Sequence, residues 1–140
     1  MSTTSNFVWL LKQAIEVPLY FWPPTVGVLV VALIAIAIGW RGMRSTSGRS
    51  CVLLASAYLW PFMILYWGAL MRYSGDKTEA PTWPGYVLIG FLVSVFILSV
   101  VTVWRSAGFR LIVFAALILA FWLSLCASFI AGMSLANDWL

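Results

Sequence analysis

Four stretches of the chain carry no ionisable residue and are apolar around the whole helical circumference: residues 25–40, 51–71, 85–104 and 111–135. A hydrocarbon core of about 30 Å takes about 20 helical residues to cross, so each stretch crosses a bilayer or nearly does. The first is short and gains its missing turn by beginning at Pro23 and Pro24, giving residues 23–40. Proline is tolerated in a first turn, where its absent N–H has no partner to lose. The strands of a membrane barrel would alternate polar and apolar positions, and these runs do not. The pattern predicts an all-α membrane protein, residues 1–140 forming one domain of four transmembrane helices in an antiparallel bundle.

Residues 6–20 read differently. On a helical wheel Phe7, Val8, Leu10, Leu11, Ala14, Ile15 and Leu19 share one side, and Ser5, Asn6, Trp9, Lys12, Gln13 and Glu16 share the other. That two-faced pattern predicts an amphipathic helix in the membrane interface, ending near Pro18, which either packs over the bundle or docks a partner. Its charges, and the lack of a basic segment ahead of it, are unlike a cleaved signal peptide.

Charge sets the orientation. Arg41, Arg44 and Arg49 lie between the first two predicted spans and Arg105 and Arg110 between the last two, against Lys12, Arg72 and Lys77 on the other side. Five basic residues against three, concentrated in short loops, put those loops in the cytoplasm and both termini outside. The expected location is a bacterial plasma (inner) membrane. Tyr20, Trp22, Tyr73, Trp83, Tyr86 and Trp139 gather at the predicted outer boundary and Trp40 and Trp104 at the inner one, as amphipathic rings do. Trp22-Pro23 with Trp40-Arg41, and Trp83-Pro84 with Trp104-Arg105, bracket two spans alike. An internal parallel repeat, or the general habits of two membrane hairpins, would produce that pattern.

Candidate functional residues are few. Ala116, Ala120, Ser124, Ser128, Gly132 and Ala136 recur every four residues on the last span, a small-residue face for close helix packing, within the chain or against another. Pro61 should kink the second span. Trp60, Trp122 and Ser94 fall at similar predicted depth, and an indole N–H in hydrocarbon wants an acceptor; they form a packed polar layer or border a site for a flat apolar ligand such as a quinone or pigment. Arg41, Arg44, Arg49, Arg105 and Arg110 are candidates for holding anionic lipid headgroups. Asp76 and Glu79 read as a solvated turn. Cys51 and Cys126 lie roughly 20 Å apart in depth, too far for a disulfide.

Composition narrows the chemistry. The 140 residues are 64% hydrophobic and 9% charged, with no histidine and a net charge of +4; soluble domains carry about 25% charged residues. Without histidine there is no imidazole ligand or acid-base group, and no metal set is expected. The four predicted spans hold none of the buried charges that ion-coupled transport generally uses. Size and span number are similar to those of small multidrug transporters, but their central glutamate has no counterpart, Glu16 lying ahead of the spans. Short loops leave no basic surface for nucleic acid. The expectation is a non-catalytic membrane subunit, in contact with bilayer lipid and with other membrane chains or itself, that supports a larger complex. The alternatives are an oligomeric channel, pore-forming effector or facilitator, with Ser94, Ser99 and Thr102 along its path, and a quinone- or pigment-adjacent subunit of a redox complex.

Overall fold

The structure, a computed structural model, describes residues 3–40, 57–72, 81–106 and 110–136. They form five helices and no strand: α1 (Thr3–Tyr20), α2 (Trp22–Trp40), α3 (Trp60–Leu70), α4 (Trp83–Arg105) and α5 (Arg110–Ala136). Three stretches, Trp22–Gly39, Trp83–Arg105 and Arg110–Ala136, are long and apolar enough to cross a membrane, and Trp60–Leu70 is a shorter apolar helix. Large apolar side chains stand exposed on every helix, Leu33 and Ile38 on α2 and Ile89 and Phe96 on α4 among them. Such a surface suits a lipid solvent and fits an integral membrane protein.

Proline shapes three of the helix starts. Pro61 and Pro84 each sit in the first turn of their helices, and Pro23 and Pro24 follow the first residue of α2. Pro61 sits in the first turn of α3, and Tyr58 and Leu59 form a turn between that helix and the helical Ala57, an interruption beside the proline where a kink was expected. α1 begins three residues before the predicted Asn6 and runs through Pro18 to Tyr20, the predicted end. Helical bonding continues past it, from Phe21 N to Val17 O at 3.0 Å and from Thr25 N to Phe21 O at 3.1 Å. Phe21 alone separates α1 from α2. The break falls there because neither Pro23 nor Pro24 has an N–H to offer the Leu19 and Tyr20 carbonyls.

α5 is the axis of the fold and packs against all four other helices. α2 runs antiparallel to it, with Thr25 opposite Trp122 and Gly39 opposite Leu111 and Ile112. α3 runs parallel, with Tyr58 opposite Ala116 and Gly68 opposite Ala131. α4 returns antiparallel, its Phe96 ring 6.1 Å from that of Phe121. α1 packs against α3 and α5. Its Leu10 and Val17 are buried in one cluster with Ile64, Leu65, Cys126 and Ile130.

Two glycines set the closest approaches. A Cβ on Gly68 would lie 2.7 Å from the Ala131 Cβ and 2.8 Å from its Cα, and one on Gly39 would lie 3.0 Å from Leu111 Cβ. In lipid, helices gain little by hiding apolar surface from an apolar solvent, so dispersion between backbones brought close by small residues holds them together. On α5 the buried residues Val113, Leu117, Ala120, Ser124, Ala127, Ala131 and Ser134 follow alternating steps of four and three, the 3.5-residue period of a coiled-coil seam. Gly68→Ala should therefore destabilise the fold by about 1–3 kcal/mol through overpacking. Adding Ala131→Gly should recover part of that loss, the remainder coming from the Ala131 Cα. Thermal unfolding in detergent measures both.

Candidate functional site

The four-residue row on α5 rotates as it rises. Each step of four advances about 400°, so the row drifts about 40° per step and about 200° over its five steps. Ala120 and Ser124 are fully buried, Ala116, Ser128 and Gly132 are partly buried, and Ala136 is exposed. The early part of the row serves the chain's own helices: Ala116 O accepts a 2.8 Å hydrogen bond from the Tyr58 hydroxyl. The late part turns outward, and a Cβ on Gly132 would meet nothing within 4 Å. Ser124 bonds back to Ala120 O at 2.9 Å, whereas the buried Oγ of Ser128 has no hydrogen-bond partner among the described residues.

Trp60, Trp122 and Ser94 each have a different neighbour. Trp60 meets Phe91 edge to face, ring centres 5.9 Å apart. Ser94 donates to Gly90 O of its own helix at 2.8 Å. Trp122 reaches the other side of α5, where its indole N–H donates to Thr25 Oγ1 at 3.2 Å. Among the described residues the three thus make no hydrogen bond or ring contact with one another. The acceptor for Trp122 is a residue the pattern of apolar runs had concealed at a span end, and it is tied to the α1–α2 joint. Thr25 Oγ1 lies 2.9 Å from Pro18 O and 2.8 Å from Phe21 O, so its one proton serves carbonyls beside the break while its lone pairs receive the indole. Val17, Phe21, Trp122, Leu125, Cys126 and Phe129 line a small open hollow of about 150 Å³ at this joint.

At the far end of α1 a second polar group gathers. Arg72 Nη1 donates to Asn6 Oδ1 at 2.9 Å, and its guanidinium carbon lies 5.6 Å from the centre of the Trp9 ring. Phe7 meets Tyr66 edge to face at 6.1 Å. These residues make the polar side of α1 an internal contact at its start, while Val8, Ile15 and Leu19 from the apolar side are 60, 67 and 74% exposed. The helical wheel had divided the residues by polarity; the fold divides them by proximity to α3. Nearby, Trp67 donates to Pro84 O at 3.3 Å and stands against Trp83 and Phe91. Trp83 thus meets α3 through the Trp67 ring while remaining half exposed, and Trp22 beside the joint is exposed as well.

A groove of about 580 Å³ lies between α4 and α5, with Ser99 on its wall and Trp104 and Arg110 at one end. Arg110 Nη2 donates to Trp104 O at 3.4 Å. The Ser99 Oγ is buried without a hydrogen-bond partner among the described residues, while Thr102 and Ser106 bond back to Leu98 O and Thr102 O, both at 2.6 Å. Arg105 and Arg110 are exposed. Arg41, Arg44, Arg49, Cys51, Asp76 and Glu79 lie outside the described residues, as does the Trp40 side chain.

Thr25→Val strands the Trp122 N–H and removes the donor to the joint. We expect a loss of about 1 kcal/mol, with a coupling of about 0.6 kcal/mol to Trp122→Phe in a double-mutant cycle of unfolding in detergent. Compared with known protein families, with curated proteins and with solved structures, the chain matches none.

Proposed function

We propose that the protein is a non-catalytic, four-span subunit of a bacterial inner membrane, with both termini on the outer side, that packs against other membrane chains and supports a larger complex. The observation that carries this reading is the outward turn of the small-residue row on α5: Gly132 has open space where a side chain would stand, and Ala136 is exposed. A neighbouring helix can approach a backbone at such a place, and small residues drive association in lipid. The polar groups at depth support the same reading. Tyr58, Trp67, Trp122 and Ser134 each bond to another helix, which commits them to holding the bundle together.

The fourth span in this reading is residues 51–71, of which residues 57–71 are described and Trp60–Leu70 form α3. The relative directions of α2, α3, α4 and α5 suit an up-and-down course through four crossings. Reporter tags placed before Met1 and after Leu140 should both be accessible from the outer side in intact cells; opposite accessibility would rule out an even number of crossings.

Purification in a mild detergent followed by native mass measurement tests the subunit reading. Wild type should carry at least one further protein chain at fixed stoichiometry, and Gly132→Leu, which fills the open place without touching the internal seam, should shed it while still migrating as a folded species. A monodisperse lone monomer from both would sink the reading.

A further inference from the structure

The groove between α4 and α5 has two unlike ends. Val100 and Val103 from α4 face Phe114 and Leu117 from α5 along its length, and Phe96 and Phe121 lie at one end, their rings 6.1 Å apart. At the other end stand Trp104 and Arg110, the one charged residue among those lining the groove. The Arg110 guanidinium leans across to the Trp104 carbonyl, so it bridges the mouth, and it is exposed. A guanidinium carries five N–H donors in a planar fork that matches phosphate oxygens. Arg105 adds a second exposed charge one residue beyond Trp104.

Length identifies the kind of occupant. From Arg110 to Phe121 the groove runs eleven residues along α5, about 16 Å. One leaflet is half of a hydrocarbon core of about 30 Å, so the groove is as long as a single leaflet is deep. An apolar slot of leaflet length, with an indole and a guanidinium at its mouth, matches an amphiphile with an extended hydrocarbon chain and an anionic head. A helix, about 10–12 Å across with its side chains, is too wide to enter between two helices that touch at both ends of the slot.

We propose that this groove binds one anionic phospholipid, an acyl chain lying between Val100 and Leu117 and the phosphate resting on Arg110. The site stands independently of the subunit reading, since it needs only the α4–α5 pair and a bilayer. Each basic residue near an anionic headgroup contributes roughly a five-fold gain in binding. A zwitterionic lipid fills the same slot, but the cation in its headgroup offsets that gain.

Native mass measurement of the full chain in mild detergent, titrated separately with phosphatidylglycerol and phosphatidylcholine of identical chains, tests this. One phosphatidylglycerol should be retained per chain, about five-fold more tightly than phosphatidylcholine. Arg110→Gln should abolish that preference without changing phosphatidylcholine retention, and Val100→Trp, at the exposed lip of the groove, should weaken both lipids. Equal retention of the two lipids by wild type, or a preference that survives Arg110→Gln, would overturn the proposal. Should Val100→Trp fail to fold, wild type compared with long-chain and six-carbon phosphatidylglycerol decides the same point: equal retention of the two shows that the groove does not hold the chain.

Discussion

Everything in this fold depends on how closely other helices approach α5. In water, burying a leucine would hold two helices together; in lipid, the same leucine is as comfortable facing an acyl chain. What remains is dispersion between atoms in contact and a few hydrogen bonds, and both fall away quickly with distance. Gly68 against Ala131, and Gly39 against Leu111 and Ile112, are therefore the points that place α3 and α2 on the central helix. The alanines Ala32, Ala35 and Ala115 extend the second contact, and Ala127 and Ala131 lie within the first. Other bulky residues, Leu33, Ile38, Ile89 and Phe96 among them, point the other way, where lipid accepts any shape.

The polar groups follow from the same solvent. A hydroxyl or indole in hydrocarbon has no water to fall back on, so most are returned to a backbone carbonyl. Ser94, Thr102, Ser106 and Ser124 bond within their own helices. Tyr58, Trp67 and Ser134 instead bond to carbonyls of other helices, and each such bond ties two elements where they already touch. The α1–α2 joint is the place where these demands meet. Two consecutive prolines leave carbonyls without donors, and Thr25, one residue later, turns its hydroxyl back toward the break while accepting from Trp122 across the bundle. A chain break, a polar residue and an interhelical bond are thus one feature.

Much of the architecture was legible because lipid imposes a coarse rule. The starts at Trp22 and Trp83 and the last helix, Arg110–Ala136, lie within two residues of where uncharged runs and proline place them. The candidate site was legible only in part. Small residues on the last helix announced close packing, but a step of four and an alternation of four and three share two residues, and only the alternation stays on one face. Ala120 and Ser124 belong to both; Ala127, Ala131 and Ser134 belong to the buried seam alone. Gly68 could have been suspected from the Gly-Ala pair within an otherwise bulky α3. The groove at Arg110 could not, since its walls are residues that look like any lipid-facing surface.

The sequence by itself determined that the described residues are helical, where the three long apolar helices run and which residues are barred from their interiors, because hydrocarbon penalises charge and unpaired backbone wherever they occur along a helix. Only the tertiary structure decided which face of each helix is shared. The apolar runs are nearly uniform around their circumference, so hydrophobicity holds no record of direction. Contact is settled instead by which small residue meets which: Gly68 and Ala131, Gly39 and Leu111, Thr25 and Trp122. Those pairings join residues 63, 72 and 97 positions apart, and they exist only once the helices lie side by side.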